Sequence, residues 1–231
     1  MQSFEIDGQS ERAFRDGVEA LLRQGEAEKA LARLMPLLAP YCSDFGPFPA
    51  RCLALTRRDV VVNGWDEAIA RIAELERGGA ARITAIGVDI SWPGHRDSRP
   101  DAEGALDPDI ETNFYTDSAW PFSTSDRAGL LAGYSGDASA WQGDFEDIDS
   151  AITVAGLGGL YGAIWRLKAK DARWIDEDRA AALAAMVVQT LLHLAVRDSA
   201  PLDALPRPMA ILVGSNEDYP YFDAPVVPAL R

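Results

Sequence analysis

The sequence predicts an α+β fold: a mainly antiparallel sheet packed with helices, preceded by an N-terminal helical hairpin. Three observations carry this. Apolar residues recur at helical spacing over residues 10–39. Two later segments, 82–91 and 110–117, read as strands, the second with strict alternation. The order of elements lacks the regular strand–helix–strand alternation of a parallel α/β protein. The chain divides into a hairpin over residues 1–40 and an α+β core over 41–231, which together would form one compact unit.

The elements follow in order. Phe14, Val18, Leu21 and Leu22 mark a first helix. Ala30, Leu31, Leu34, Leu37 and Leu38 mark a second, with Pro36 as a kink. The short link between them implies antiparallel packing. "PYCSDFGPFPA", with three prolines and a glycine, reads as a loop and a boundary. Cys52 to Val62 reads as a strand from the β-branched residues at its end, and Asn63-Gly64 as a turn. Ile69, Ile72 and Leu75 give an apolar helical stripe from Asp66 to Arg77, stopped by Gly78-Gly79. A short helix is expected near Asp126 to Ala132, capped by Ser125, and a mainly helical stretch from Asp147 to Lys170. Asp176 to Asp198 reads as a long helix, acidic at its start and apolar nearly all round. It should be central and buried, or serve as a homo-oligomer contact. "MAILVG" is a last strand.

Composition narrows the function. The net charge is −14, so a phosphate polymer or an anionic membrane surface would be repelled. Basic proteins or metal cations are the natural complements. The opening "MQSFEIDGQSERAF" has no apolar core of a secretory signal, and the apolar run 180–196 is interrupted by Gln189, Thr190 and His193. A cytoplasmic location is expected. Cys42 and Cys52 match no redox or zinc spacing and read as packed thiols. With two histidines, His95 and His193, a nitrogen- and sulfur-rich zinc site is not expected.

The chemistry-bearing stretch is "VDISWPGHRDSRPDAEGALDPDIETNFYTD", residues 88–117. If its two strands pair in even register, Ile90 meets Ile110, Asp89 meets Glu111, Gly87 meets Asn113 and Ala85 meets Tyr115. Like charges directly opposite are destabilising, so a cation, Arg96 or Arg99, a basic partner or solvent must compensate. The simplest expectation is a solvated acidic sheet face. The alternative is a site for Mg²⁺ or Mn²⁺ built from Asp89, Glu111 and Asp117, with His95 beside Asp97 as a base, in a metal-dependent hydrolase. "IGVDIS" resembles the first carboxylate strand of ribonuclease-H-like nucleases over six residues, but the charge opposes a nucleic-acid substrate.

Other motifs fail on spacing. "GYSGD" lacks the last glycine of a nucleophile elbow. "ITVAGLGGLYGAIWRL" misses the third glycine of a dinucleotide-binding turn, and its glycines suit close packing instead. His193 reads as a hydrogen-bonded core or interface residue.

"WQGDFEDIDSAI" sets acids among aromatics. Together with Glu111 and Asp117, the residues Trp120, Trp141, Glu146 and Asp147 suggest an acidic surface with aromatic anchors, suited to a basic protein partner. The leading expectation is therefore a non-catalytic binding module of the inhibitor or immunity type, without a cofactor.

Overall fold

The structure, a computed structural model, describes residues 4–79, 81–91, 109–116, 145–147, 151–160, 163, 174–207, 209–215 and 224–226. The chain begins with a small ribbon, β1 (Glu5–Ile6) and β2 (Gln9–Ser10), joined antiparallel through Asp7-Gly8. Both turn residues have positive φ, the geometry that a two-residue hairpin loop demands and that Asp-Gly supplies. Ser10 then caps α1 (Glu11–Arg23), its Oγ accepting from the Ala13 N–H at 3.3 Å. Gly25, also at positive φ, turns the chain into α2 (Ala27–Leu38). Phe14, Val18 and Leu22 of α1 and Ala30, Leu34 and Leu38 of α2 are buried, so the expected helical hairpin is present.

The next segment departs from expectation. Residues 47–54 form α3 (Pro47–Ala54), not a loop running into a strand. Pro47 and Pro49 lie in its first turn, where a missing N–H leaves no helical hydrogen bond unmade. Phe48 and Cys52, one turn apart, are fully buried. The strand starts later and is short: β3 (Val61–Asn63). Gly64, in the left-handed region, leads into α4 (Trp65–Arg77), as the apolar stripe predicts.

Two long strands follow, β4 (Ile83–Ser91) and β5 (Asp109–Thr116). β6 (Phe145–Asp147) ends where the stretch read as mainly helical begins, and that stretch opens with a strand, β7 (Thr153–Ala155), before turning helical at Leu160 and Ala163. The β-branched Ile152, Thr153 and Val154 favour extended backbone, and β7 pairs antiparallel with β3. Gly156 lets the ribbon close: a Cβ there would overlap the carbonyl of Asp59. The helix expected near Asp126 to Ala132 lies outside the described residues. The chain ends with α5 (Trp174–Ser199), β8 (Ala210–Ser215) and β9 (Ala224–Val226).

Among the described residues the main sheet has five strands in the order β6-β5-β4-β8-β9. Its pairings are antiparallel except β4 with β8, which run parallel. One face presents Ile86, Val88, Ile90, Ile110, Phe114, Ile211 and Val213 to a single apolar cluster shared with the helices. Within that cluster α5 packs against α2 and α3.

By length and composition α5 passes for a membrane span, yet its apolar window is 89% buried inside the fold. Residues 182–196 are all buried. The helix is thus central, and its middle has no face left for a second copy. Each fully buried Leu, Val or Met along it is worth about 1.5–3 kcal/mol of transfer free energy.

Candidate functional site

The site is built on the other face of the same sheet. β4 and β5 pair in the even register that the sequence predicts: Ile90 with Ile110, Asp89 with Glu111, Gly87 with Asn113, and Ala85 with Tyr115. On the far side of β4, Asp89 stands beside Gly214 of β8. Side chains alternate, so Ala85, Gly87 and Asp89 share a face with Glu111, Asn113 and Tyr115.

This face is not the solvated one expected. Asp89 is 0% exposed and Tyr115 1%. Glu111 and Asn113 are half-buried. The alternation of polar residues on β5 suggested water, but Gly87 and Gly214 leave no side chains there, and Tyr115 folds across Gly87. A Cβ on Gly87 would stand 3.0 Å from Tyr115 Cε2 and 3.1 Å from its hydroxyl. Gly87 is therefore the residue that allows the aromatic ring onto the strand.

Burying a carboxylate is costly unless polar partners replace its water. One such partner is Asn113, whose Nδ2 donates to Asp89 Oδ2 at 2.9 Å. Asn113 is diagonal to Asp89 on the neighbouring strand, within reach for cross-strand contacts. Sequence reading placed Asn113 on this face but opposite Gly87, and gave it no role. Its signal was an amide on the acid-bearing side of the strand, between Glu111 and Tyr115 at alternate positions.

β6 adds to the same constellation. It pairs with β5 so that Glu146 takes the register position of Asn113, and Asp147 that of Thr112. Thr112, on the side of β5 that carries Ile110 and Phe114, has a buried hydroxyl that accepts from the Ile152 N–H at 3.3 Å. The sheet therefore brings Asp89 and Glu111 together, while Glu146 and Asp147 stand in the ladder beside Asn113 and Thr112. His95, Asp117, Trp120 and Trp141 lie outside the described residues, as do Arg96 and Arg99. Among the described residues no three histidines, cysteines or carboxylates converge as a metal-binding group.

The remaining titratable groups sit in the helical layer. Cys42 and Cys52 are free thiols, as expected. Burial raises both, most strongly Cys52, and so keeps them protonated and unreactive. His193 is buried in α5, and burial, helped by Arg197, pushes its pKa down to about 4. It belongs to the core, but the hydrogen bond expected of it is not made at Nδ1, which is buried without a partner. Gln189, one turn earlier, has both amide atoms in the same condition.

No family model, curated protein or solved structure matches this chain.

Proposed function

We propose that this protein is a cytoplasmic, non-catalytic binding module that holds a basic protein partner against the acidic side of its sheet, as an inhibitor or immunity-type protein does. The observation that carries this reading is the register that sets Asp89 opposite Glu111, with Glu146 beside Asn113 on the next strand, in a chain of net charge −14. Such a field speeds encounter with a cationic surface and rejects nucleic acid and anionic membrane. Asp117, Trp120 and Trp141 complete the proposed contact, the tryptophans as anchors; Asp147, in register with Thr112, is left out of it. A homo-oligomer contact through α5 would have to use its ends, since residues 182–196 are buried.

The test is affinity capture from native extract at low salt, followed by a high-salt wash. A stoichiometric basic protein that salt releases supports the reading. Glu111→Gln and Glu146→Gln should then slow its association. Absence of a specific partner, or a complex indifferent to salt, overturns it.

One observation favours a second reading. Asp89 is fully buried beside Glu111, and a carboxylate is seldom spent in that way on solubility. A metal-dependent hydrolase would use Asp89, Glu111 and Asp117 to hold Mg²⁺ or Mn²⁺, with His95 as base. A thermal shift on adding either ion, lost in Asp89→Asn, would support it. Melting that ignores both ions would remove it.

A further inference from the structure

We propose that the outward face of the β3–β7 ribbon is a self-association surface, on which a second copy of this chain docks with its own ribbon running antiparallel. Partners across the ribbon share a face, and neighbours along a strand alternate. Val62 and Val154 are partners on the inner face and belong to the buried core. Val61 with Ala155, and Asn63 with Thr153, are partners on the outer face, and all four are exposed. Val61 is 48% exposed, the one large hydrophobic in that condition among the described residues. A single exposed valine means little. The face around it means more. None of its four residues carries a charge, in a chain where 25% of the residues do. Depletion of charge marks the centre of an interface rather than its rim.

The charges at the two ends of β3 decide what docks there. The chain enters β3 from Arg57-Arg58 and leaves it through Gly64 and Trp65 into Asp66-Glu67. At the entry, Arg57 is engaged by Asp198 and Glu28. Asp59 is held within its own turn, accepting from the Thr56 N–H at 2.8 Å and from the Thr56 hydroxyl at 2.6 Å. Arg58 is exposed and makes no ion pair with a described residue, and the same is true of Asp66 and Glu67. One end of the strand thus offers a free cation and the other two free acids. A twofold axis lying in the contact plane, across the strands, turns the ribbon end for end. It sets Arg58 of each copy against Asp66 and Glu67 of the other, with the neutral faces between them. A contact between identical copies needs such a self-complementary patch. The patch is small, so the dimer is weak and depends on concentration.

The test is sedimentation equilibrium of the full chain from roughly 1 µM to roughly 1 mM, at about 0.15 M salt, where repulsion between the two acidic chains is screened beyond about 8 Å. The proposal expects a monomer–dimer equilibrium. Val61→Lys changes an exposed position and should weaken the dimer at least about tenfold, because the twofold axis brings the substitution in twice. Arg58→Glu alone should weaken it too, and so should the double variant Asp66→Arg, Glu67→Arg, since each sets like charges together at both ends. An equimolar mixture of these two variants should recover the dimer, because every end then meets its opposite. Thermal unfolding checks that each variant is folded. If the double variant is not, Glu67→Arg alone takes its place. A chain that stays monomeric at the highest concentration overturns the proposal. A dimer indifferent to Val61→Lys overturns it as well, since the contact would then lie elsewhere. A dimer weakened by each variant but not recovered in the mixture overturns the antiparallel arrangement.

Discussion

Glu76 and Arg207 meet as a two-point ion pair, Arg207 Nη1 to Glu76 Oε1 at 2.7 Å and Nη2 to Oε2 at 2.8 Å. The pair joins the last turn of α4 to the segment between α5 and β8. It also grips the start of the central strand: Arg207 Nη1 donates to the Ile83 carbonyl at 2.8 Å, and the Ile83 N–H donates to Glu76 Oε1 at 2.8 Å. Both side chains are half-buried, which limits screening by water and salt.

Arg207→Ala should therefore lower stability by roughly 1–3 kcal/mol, more than an exposed ion pair would. The loss is read from the midpoint of urea unfolding. The Arg207 guanidinium holds the Glu76 carboxyl below the usual glutamate range, with the Ile83 N–H helping. A carboxylate with a depressed folded pKa stabilises above its unfolded value and loses that contribution as pH falls through the folded one. In the natural chain this loss should appear below about pH 4.5 and be smaller in the variant, where only the Ile83 N–H and Arg82 still lower the carboxyl. An unchanged acid limb in Arg207→Ala would show that the pair contributes nothing measurable.

His193 acts in a different window and with a different group. Its ordinary value is 6.5 and burial takes it to about 4. The unfolded chain thus binds a proton between these values that the folded chain refuses, and stability falls as pH drops from about 6.5 towards 4. The full effect is on the order of 3 kcal/mol. Arg197, on the same helix, opposes the imidazolium, while Glu28 of α2 favours it. His193→Phe should flatten this part of the stability profile, measured by thermal unfolding in steps between pH 4 and 7. A slope that survives the substitution would have to come from other groups.

Gln189 carries the opposite expectation from most core positions. It is 0% exposed, and neither amide atom has a hydrogen-bond partner. Its burial therefore costs desolvation without return. Gln189→Met or Gln189→Leu should raise stability by about 1 kcal/mol, since an apolar group of similar volume removes that cost. A drop in the unfolding midpoint of both variants would mean that the amide makes bonds the static geometry does not show.

Gly64 should tolerate no side chain. Its φ is +88°, and a Cβ would overlap the Ala151 carbonyl oxygen. Gly64→Ala must move the backbone where the β3–β7 ribbon meets α4, at a cost of about 2 kcal/mol or more. Gly79→Ala is the control: it too has positive φ, but open space around the Cβ position. The difference between their unfolding midpoints isolates the close approach from the conformational strain. Equal losses would place the whole effect in φ.

The residues show why parts of this molecule were legible in the sequence and others were not. The β4–β5 register was readable, because a shift of one residue would have turned Ile86, Val88 and Ile90 away from Ile110 and Phe114. The long helix and α4 declared themselves through apolar periodicity. The first hairpin also had a signal, Asp7-Gly8, which a search for helices passes over. α3 was hidden by its prolines, whose meaning reverses at a helix start. β7 was hidden by the glycines that follow it. The burial of Asp89 was out of reach. A strand with Glu111, Asn113 and Tyr115 on one side looks wet, and alternation alone does not show that Tyr115 lies across Gly87.

The parallel pairing of β4 with β8 has a consequence for synthesis. β4 leaves the ribosome with β5 soon after it, but its other neighbour, β8, lies far along the chain, beyond α5. Until α5 and β8 emerge, the hydrophobic strand at the middle of the finished sheet is a raw margin, with Ile86, Val88 and Ile90 lacking their cover. A nascent chain halted before β8 would therefore be a client for chaperones and a seed for aggregation.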